Sequence, residues 1–287
     1  MNFVEGTSRN GVLYGLAAYG TWGVFPLYFR LLDRSGAIEI VLHRVLWSMV
    51  ICLSLVAVLG LRTELRTALR AGRSVLQLGV AAAFLAVNWG TYVYAVNSGH
   101  VVQASLGYFT NPLVLVLLGV VVLRERLRPG QWAAVGIGAL AVALLTVAYG
   151  RVPWIALTLA CTFAIYGLIK NRVGITVGAV ASLTTETLLL APVAAVVLVW
   201  FELTGRGHVT ENPPWQALLL AGAGLATVTT LIFFASAARR VPLSTMGMLQ
   251  YLTPVLQLLC GVLAFGERLT PARAAGSRWS GWPPPRR

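Results

Sequence analysis

Long apolar stretches separated by short polar breaks run through almost the whole chain. Nine can be marked out, over about residues 11–32, 37–60, 74–97, 100–123, 130–148, 153–170, 175–201, 214–238 and 242–265. A helix needs ~20 apolar residues to cross the hydrocarbon core of a bilayer, and only closed hydrogen-bonding patterns can cross it. The ~10-residue alternation of a transmembrane barrel is not the pattern seen. The expectation is therefore an all-α integral membrane protein, with short connections and no inserted soluble domain.

Composition supports this. Hydrophobic residues make up 57% of the 287 and charged residues 11%, against ~25% charged in globular domains. The net charge of +13 would suggest a nucleic-acid partner in a soluble chain. Here the basic residues sit in short loops, so they are a topology signal and no nucleic acid is expected. Placing the N-terminus in the cytoplasm puts Arg9, Arg62, Arg66, Arg70, Arg73, Arg124, Arg126, Arg128, Lys170, Arg172, Arg239 and Arg240 inside. Arg30, Arg34, Arg151 and Arg206 fall outside, twelve against four. Met1–Asn10 carries no cleavage signal, so the first span is expected to be retained. Cys52, Cys161 and Cys260 lie in apolar runs without a disulfide or zinc spacing.

An internal repeat organises the spans. PLVLVLLGVVVLRERLRP (112–129) lies over PVLQLLCGVLAFGERLTP (254–271) with a constant offset of 142. Pro112 meets Pro254, Gly119 meets Gly261, Glu125-Arg126-Leu127 meets Glu267-Arg268-Leu269, and Pro129 meets Pro271. The same offset lays the first three spans on the sixth to eighth. A unit with an odd number of spans enters the membrane inverted in its second copy, and inverted repeats mark secondary transporters with a site near the midplane. The expected fold is two inverted five-helix repeats: residues 1–150, residues 151–271 with four spans, and a Pro/Arg-rich tail over 272–287. Nine of ten helices are visible. The tail, with four arginines and three consecutive prolines, stands where a tenth helix should begin, which suggests truncation or a frame shift.

The segment NPLVLVLLGVVVLRERLRPGQW (111–132) resembles the end of the EamA repeat in the drug/metabolite transporter superfamily. GLAAYGTWGVFPLYFRLL (15–32) followed by EIVLHRVLWS (39–48) resembles, more narrowly, the RarD-type permeases. Tyr19, Trp22, Gly23, Pro26, Tyr28, Glu39, His43, Arg44 and Trp47 carry that likeness. The resemblance implies a ten-helix permease of the bacterial inner membrane with both ends cytoplasmic. It also implies small metabolites or drugs as substrates, chloramphenicol and amino-acid-like solutes among them. The missing tenth helix departs from that pattern.

Ionisable groups inside spans are rare and tend to face protein or water. Glu39, His43 and Arg44 in the second span and Glu186 in the seventh are the clear cases. Glu39 and His43, four apart, share a helix face. Arg44 and Glu186 are one repeat apart and are expected to approach each other at the midplane, as a structural ion pair or as a substrate or coupling site. His43 titrates near working pH and is a candidate proton relay; a packing role is the alternative. Trp22, Tyr28, Asn88, Trp89, Tyr92, Gln103, Tyr108, Asn111, Gln250, Tyr251 and Gln257 offer a binding surface, against interface belts for the aromatics and interhelical hydrogen bonds for the amides. Pro112 and Pro254 are expected to give matched kinks. Gly11, Gly15 and Gly23, and Gly130, Ala134 and Gly138, should let helices approach closely. Glu125 and Glu267 are expected to pair with neighbouring arginines at span ends.

An enzyme is disfavoured. Gly136–Ala141 satisfies a loose dinucleotide fingerprint but lies inside a span. Neither a catalytic triad nor a metal cluster nor an ATP-binding loop is visible, so no cofactor is expected. A channel would need a ring of pore-lining groups. A transport-inactive membrane protein is the remaining competitor. The partners expected are a small-molecule substrate and the lipid bilayer, with room for a homodimer.

Overall fold

The structure, a computed structural model, describes residues 8–32, 35–98, 100–149, 153–205, 207, 213–260 and 263. Eleven α-helices follow one another among these residues, with no strand. They are α1 (Arg9–Phe29), α2 (Ala37–Val58), α3 (Arg62–Arg70), α4 (Gly72–Asn97), α5 (Val101–Leu123), α6 (Pro129–Tyr149), α7 (Trp154–Val173), α8 (Ala179–Leu203), α9 (Pro214–Ala238), α10 (Leu243–Gln250) and α11 (Leu252–Leu259). Among the described residues six segments are long and apolar enough to cross a membrane: Ala37–Val58, Gly72–Ala95, Leu106–Leu123, Trp154–Val173, Ala179–Leu203 and Pro214–Ala238. The Pro/Arg-rich tail and the site of the expected tenth helix lie outside the described residues, as does Glu267.

Two elements differ from expectation. Residues 61–73, expected as an arginine-rich loop, contain α3. Leu65 and Ala68 lie three apart and are buried, while Arg62, Arg66 and Arg70 are exposed. One short apolar stripe under a charged face suffices for a surface helix that packs on α8 and α4. The stretch 242–265, expected to be continuous, breaks at Tyr251 into α10 and α11. Pro254 has no N–H to donate to the Gln250 carbonyl four residues back. Its repeat counterpart Pro112 sits inside the unbroken α5, so the two matched prolines do not interrupt their helices alike.

The packing crosses between the early and late halves of the chain. α1 lies on α9 and α11, α4 and α5 lie on α7, α2 lies on α8 and α9, and α5 lies on α10. Small residues let α1 approach the turn after α9, α10 and α11. A Cβ on Gly11, Gly15 or Gly23 would stand 2.5–2.6 Å from side-chain atoms of Val241, Leu249 and Leu256. On α6 only part of the expected face is used: Gly138 abuts Tyr251 and Leu113, whereas nothing lies within 4 Å of a Cβ at Gly130. At the centre Tyr19, Trp22, Phe163, Tyr166 and Phe234 form an aromatic cluster, with neighbouring ring centroids 5.4–6.1 Å apart.

Two carboxylates tie the halves together through helix starts. Glu125, expected to pair with arginines, instead accepts hydrogen bonds from the backbone N–H groups of Leu243 (2.6 Å) and Ser244 (2.8 Å). Glu64 of α3 accepts one from Gly178 at 2.7 Å, at the start of α8. The first turn of a helix leaves N–H groups without intrahelical partners and carries partial positive charge, so an acidic side chain from elsewhere satisfies both.

Candidate functional site

Arg44 lies two turns into α2 and is 9% exposed. Its Nε donates to Thr227 Oγ1 of α9 at 2.8 Å. Its guanidinium carbon stands 4.8 Å from the ring centroid of Trp89, 5.4 Å from that of Phe29 and 5.9 Å from that of Phe25. Nearby, Tyr92 and Tyr108 pair edge-to-face with each other, centroids 5.9 Å apart. Among the described residues no carboxylate pairs with Arg44.

Glu186 goes elsewhere. Its Oε1 meets Lys170 Nζ of α7 at 2.6 Å, with both side chains 1% exposed. Ser182 donates to the same oxygen at 3.2 Å, and Tyr166 donates to Oε2 at 3.2 Å. Lys170 also donates to Ser182 Oγ at 2.5 Å. The expected Arg44–Glu186 pair is therefore corrected: Glu186 is neutralised within its own half by Lys170. The sequence places Lys170 at the cytoplasmic end of the span 153–170, beside Arg172. α7 in fact continues to Val173, which turns Lys170 inward while Arg172 stays exposed.

A small cavity lies between the two charged sites. It is walled by Val45, Ser48, Leu85 and Trp89 on one side and by Leu183, Glu186, Thr187, Leu190, Thr227 and Leu231 on the other. Its volume is about 10 Å³, the lower limit for one water. Val45, Trp89 and Leu190 also wall a wider apolar groove of about 450 Å³ between α2, α4 and α8.

The other expected residues divide. Trp89, Tyr92 and Tyr108 gather around Arg44. Trp22 belongs to the aromatic cluster, and the Tyr28 hydroxyl donates to the Leu219 carbonyl at 2.6 Å. Asn88 donates to the Leu159 carbonyl (2.9 Å) and to Thr162 Oγ1 (3.0 Å), and Asn111 donates to the Ala160 carbonyl (3.1 Å). Gln257 reaches the Trp22 carbonyl at 3.4 Å, and the Gln103 side chain accepts from the Ile155 N–H. These amides join helices. Gln250 is buried, with Oε1 lacking a partner among the described residues, as do His43 Nε2 and the Tyr251 hydroxyl. Glu39 caps its own helix, accepting from Gly36 N–H at 3.4 Å. Among the described residues no group of His, Cys, Asp or Glu could hold a metal.

The two sides of the cavity correspond to two copies of one family. The EamA-like transporter family matches residues 9–147 and again residues 152–277. The chain belongs to the EamA-like transporter family. It is 47% identical to Protein RarD of Streptomyces exfoliatus over 274 residues, covering 95% of this chain and 86% of that protein. It is 40% identical to Protein RarD of Escherichia coli K12 over 261 residues (91% and 88%). It is 33% identical to the Chloramphenicol-sensitive protein RarD of Pseudomonas aeruginosa over 271 residues (92% and 88%). A protein of known crystal structure shares the fold, with TM-score 0.70 over 93% of each chain at 18% identity. The chain is thus a multi-pass bacterial membrane protein of a transporter family. The cavity, with Val45 to Trp89 in the first match and Leu183 to Leu231 in the second, is lined by both EamA copies.

Sequence reasoning found Arg44, Glu186 and Trp89 but missed Thr227, Lys170, Ser182, Phe25 and Phe29. Hydroxyls and phenylalanines in a membrane helix carry no distinguishing signal. Lys170 did carry one: a strict helical count from Trp154 places it four residues after Tyr166, on the same face.

Proposed function

We propose that this chain is a secondary transporter of small metabolites or drugs that works by alternating access between two inverted units, 1–150 and 151–271. Nine helical stretches, the broken α10–α11 among them, would cross the inner membrane with the N-terminus in the cytoplasm. The basic bias survives the removal of Lys170, at eleven against four. The crossed packing supports the inversion, because exchanging the halves by the 142-residue offset turns the α1–α9 contact into the α7–α4 contact.

The observation that carries the reading is the cavity between the EamA copies. Charged side chains inside a bilayer mark substrate or ion pathways; here Glu186 lines a space too small for any solute, and Arg44 stands behind two of its other walls, Thr227 and Trp89. Loading a substrate requires α2 and α4 to part from α8 and α9, which is the motion alternating access supplies. Glu39 and His43 lie on the approach along α2 and are assigned to the coupling path.

The test is flux in proteoliposomes under a pH gradient or a membrane potential, with amino acids and chloramphenicol as first solutes. Saturable flux that responds to the gradient supports the carrier. Unsaturable conductance would replace it with a channel.

A further inference from the structure

Resting on the transporter reading, we propose that the solute carries a carboxylate, bound by the guanidinium of Arg44 under an aromatic wall. Three observations lead there. First, Arg44 is nine-tenths buried and uses one N–H, on Nε, for Thr227. Its four terminal N–H groups make no hydrogen bond to a described residue. Second, a guanidinium presents those donors as a planar fork that matches a carboxylate at two points. The faces of Trp89, Phe29 and Phe25 attract the cation without using any of the donors. Third, the only acid lining the cavity, Glu186, is already neutralised by Lys170 at 2.6 Å. Among the described residues, Arg44 behind the Thr227 and Trp89 walls keeps donors to spare, while the acid lining the cavity does not stand alone. A zwitterionic solute would find a partner for its acid but none for its ammonium group. An anion with an apolar or aromatic body finds both of its partners.

The probe is 3-phenylpropionate, set against its neutral isostere 3-phenylpropionamide, with binding read as the thermal shift of the purified full-length protein in detergent. The carboxylate is expected to stabilise the wild type and the amide is not. Arg44→Gln should weaken carboxylate binding by at least about 30-fold, the ratio set by the low end of losses at buried charge pairs. Arg44→Lys should fall between, keeping the charge and losing the fork. Ligand-free Arg44→Gln should melt no lower than wild type, because it removes a charge that no described residue balances. That separates a binding role from a structural one.

Asp33, which lies outside the described residues, serves as the control for competition by an anion of the chain itself. Carboxylate binding should be unchanged in Asp33→Asn. Binding that appears only in Asp33→Asn, equal binding of amide and acid, or full retention in Arg44→Gln would each overturn the proposal. Because binding is read without a membrane gradient, a carboxylate that binds but is not moved in proteoliposomes would count against the transporter reading and leave this one standing.

Discussion

Arg44 and Glu186 stand 142 residues apart, at the same position of the two EamA copies, and the structure treats them in opposite ways. In the second copy the charge is closed. Lys170 takes one carboxylate oxygen, Tyr166 the other, and Ser182 bridges lysine and acid. In the first copy the charge is open. The position matching Lys170 is Tyr28, whose hydroxyl is bound to the Leu219 carbonyl, and Arg44 is left with one hydroxyl and three aromatic rings. One half thus carries a finished ion pair and the other a cation with donors to offer. The lesson is that a repeat can keep the place of a charge while dividing its use: one copy closes it in an ion pair, and the other, among the described residues, gives it a hydroxyl and three rings.

The largest effect should come from opening the closed site. Glu186→Gln leaves Lys170 buried without its counter-ion, and breaking a buried pair from one side costs about 3–5 kcal/mol. A steep loss of thermal stability in detergent is expected. Replacing both partners, Lys170→Met with Glu186→Gln, should recover most of it, because no bare charge remains. Failure of the double change to recover would mean that Glu186 does more than balance Lys170.

The reverse experiment closes the open site. Thr227→Glu puts a carboxylate where Arg44 Nε now meets a hydroxyl at 2.8 Å. The engineered pair should occupy the guanidinium and lower carboxylate binding by about 30-fold or more, with stability equal to or above that of the wild type. Unchanged binding would place the ligand away from Arg44 and end the contrast between the halves.

A smaller effect tests the ties between the copies. Glu125 holds the N–H groups of Leu243 and Ser244, and losing such a helix-start cap costs about 0.5–2 kcal/mol. Glu125→Ala should lower the unfolding free energy by that much, read as a modest fall in melting point, and leave carboxylate binding by the remaining folded protein intact. A loss of binding at normal stability would tie the α10 start to the site.

These contrasts were only partly legible in the sequence. Apolar runs located the helices well, since burial in lipid imposes a length and a composition that no soluble element mimics. The repeat located Arg44 and Glu186 as counterparts, and that correspondence invited the wrong inference, that opposite charges at matched positions meet. Which partner a charge takes depends on rotation about each helix axis, and a membrane helix apolar on every face hides that rotation. α3 was missed for the complementary reason: four arginines (at 62, 66, 70 and 73) outweighed the two buried positions, Leu65 and Ala68, that make it a helix. The break at Tyr251 lies where Pro254 cannot donate, yet that rule alone does not foretell it, since Pro112 obeys it inside an unbroken α5.

The smallest expected effect belongs to the amides. Asn88 donates to the Leu159 carbonyl at 2.9 Å and to Thr162 Oγ1 at 3.0 Å, joining α4 to α7 one residue before Trp89. In water such a double bond would look decisive. Inside a bilayer the separated helices find other partners, so interhelical hydrogen bonds average only about 0.6 kcal/mol. Asn88→Ala should therefore shift stability by less than about 1 kcal/mol. Its more informative readout is the carboxylate-induced thermal shift, because α4 carries Trp89 against Arg44. If Asn88 merely joins helices, as its two bonds to α7 indicate, that shift stays within about twofold of the wild type. A loss as deep as that of Arg44→Gln would instead show that the α4–α7 contact sets the depth of Trp89, and would extend the open site across both copies.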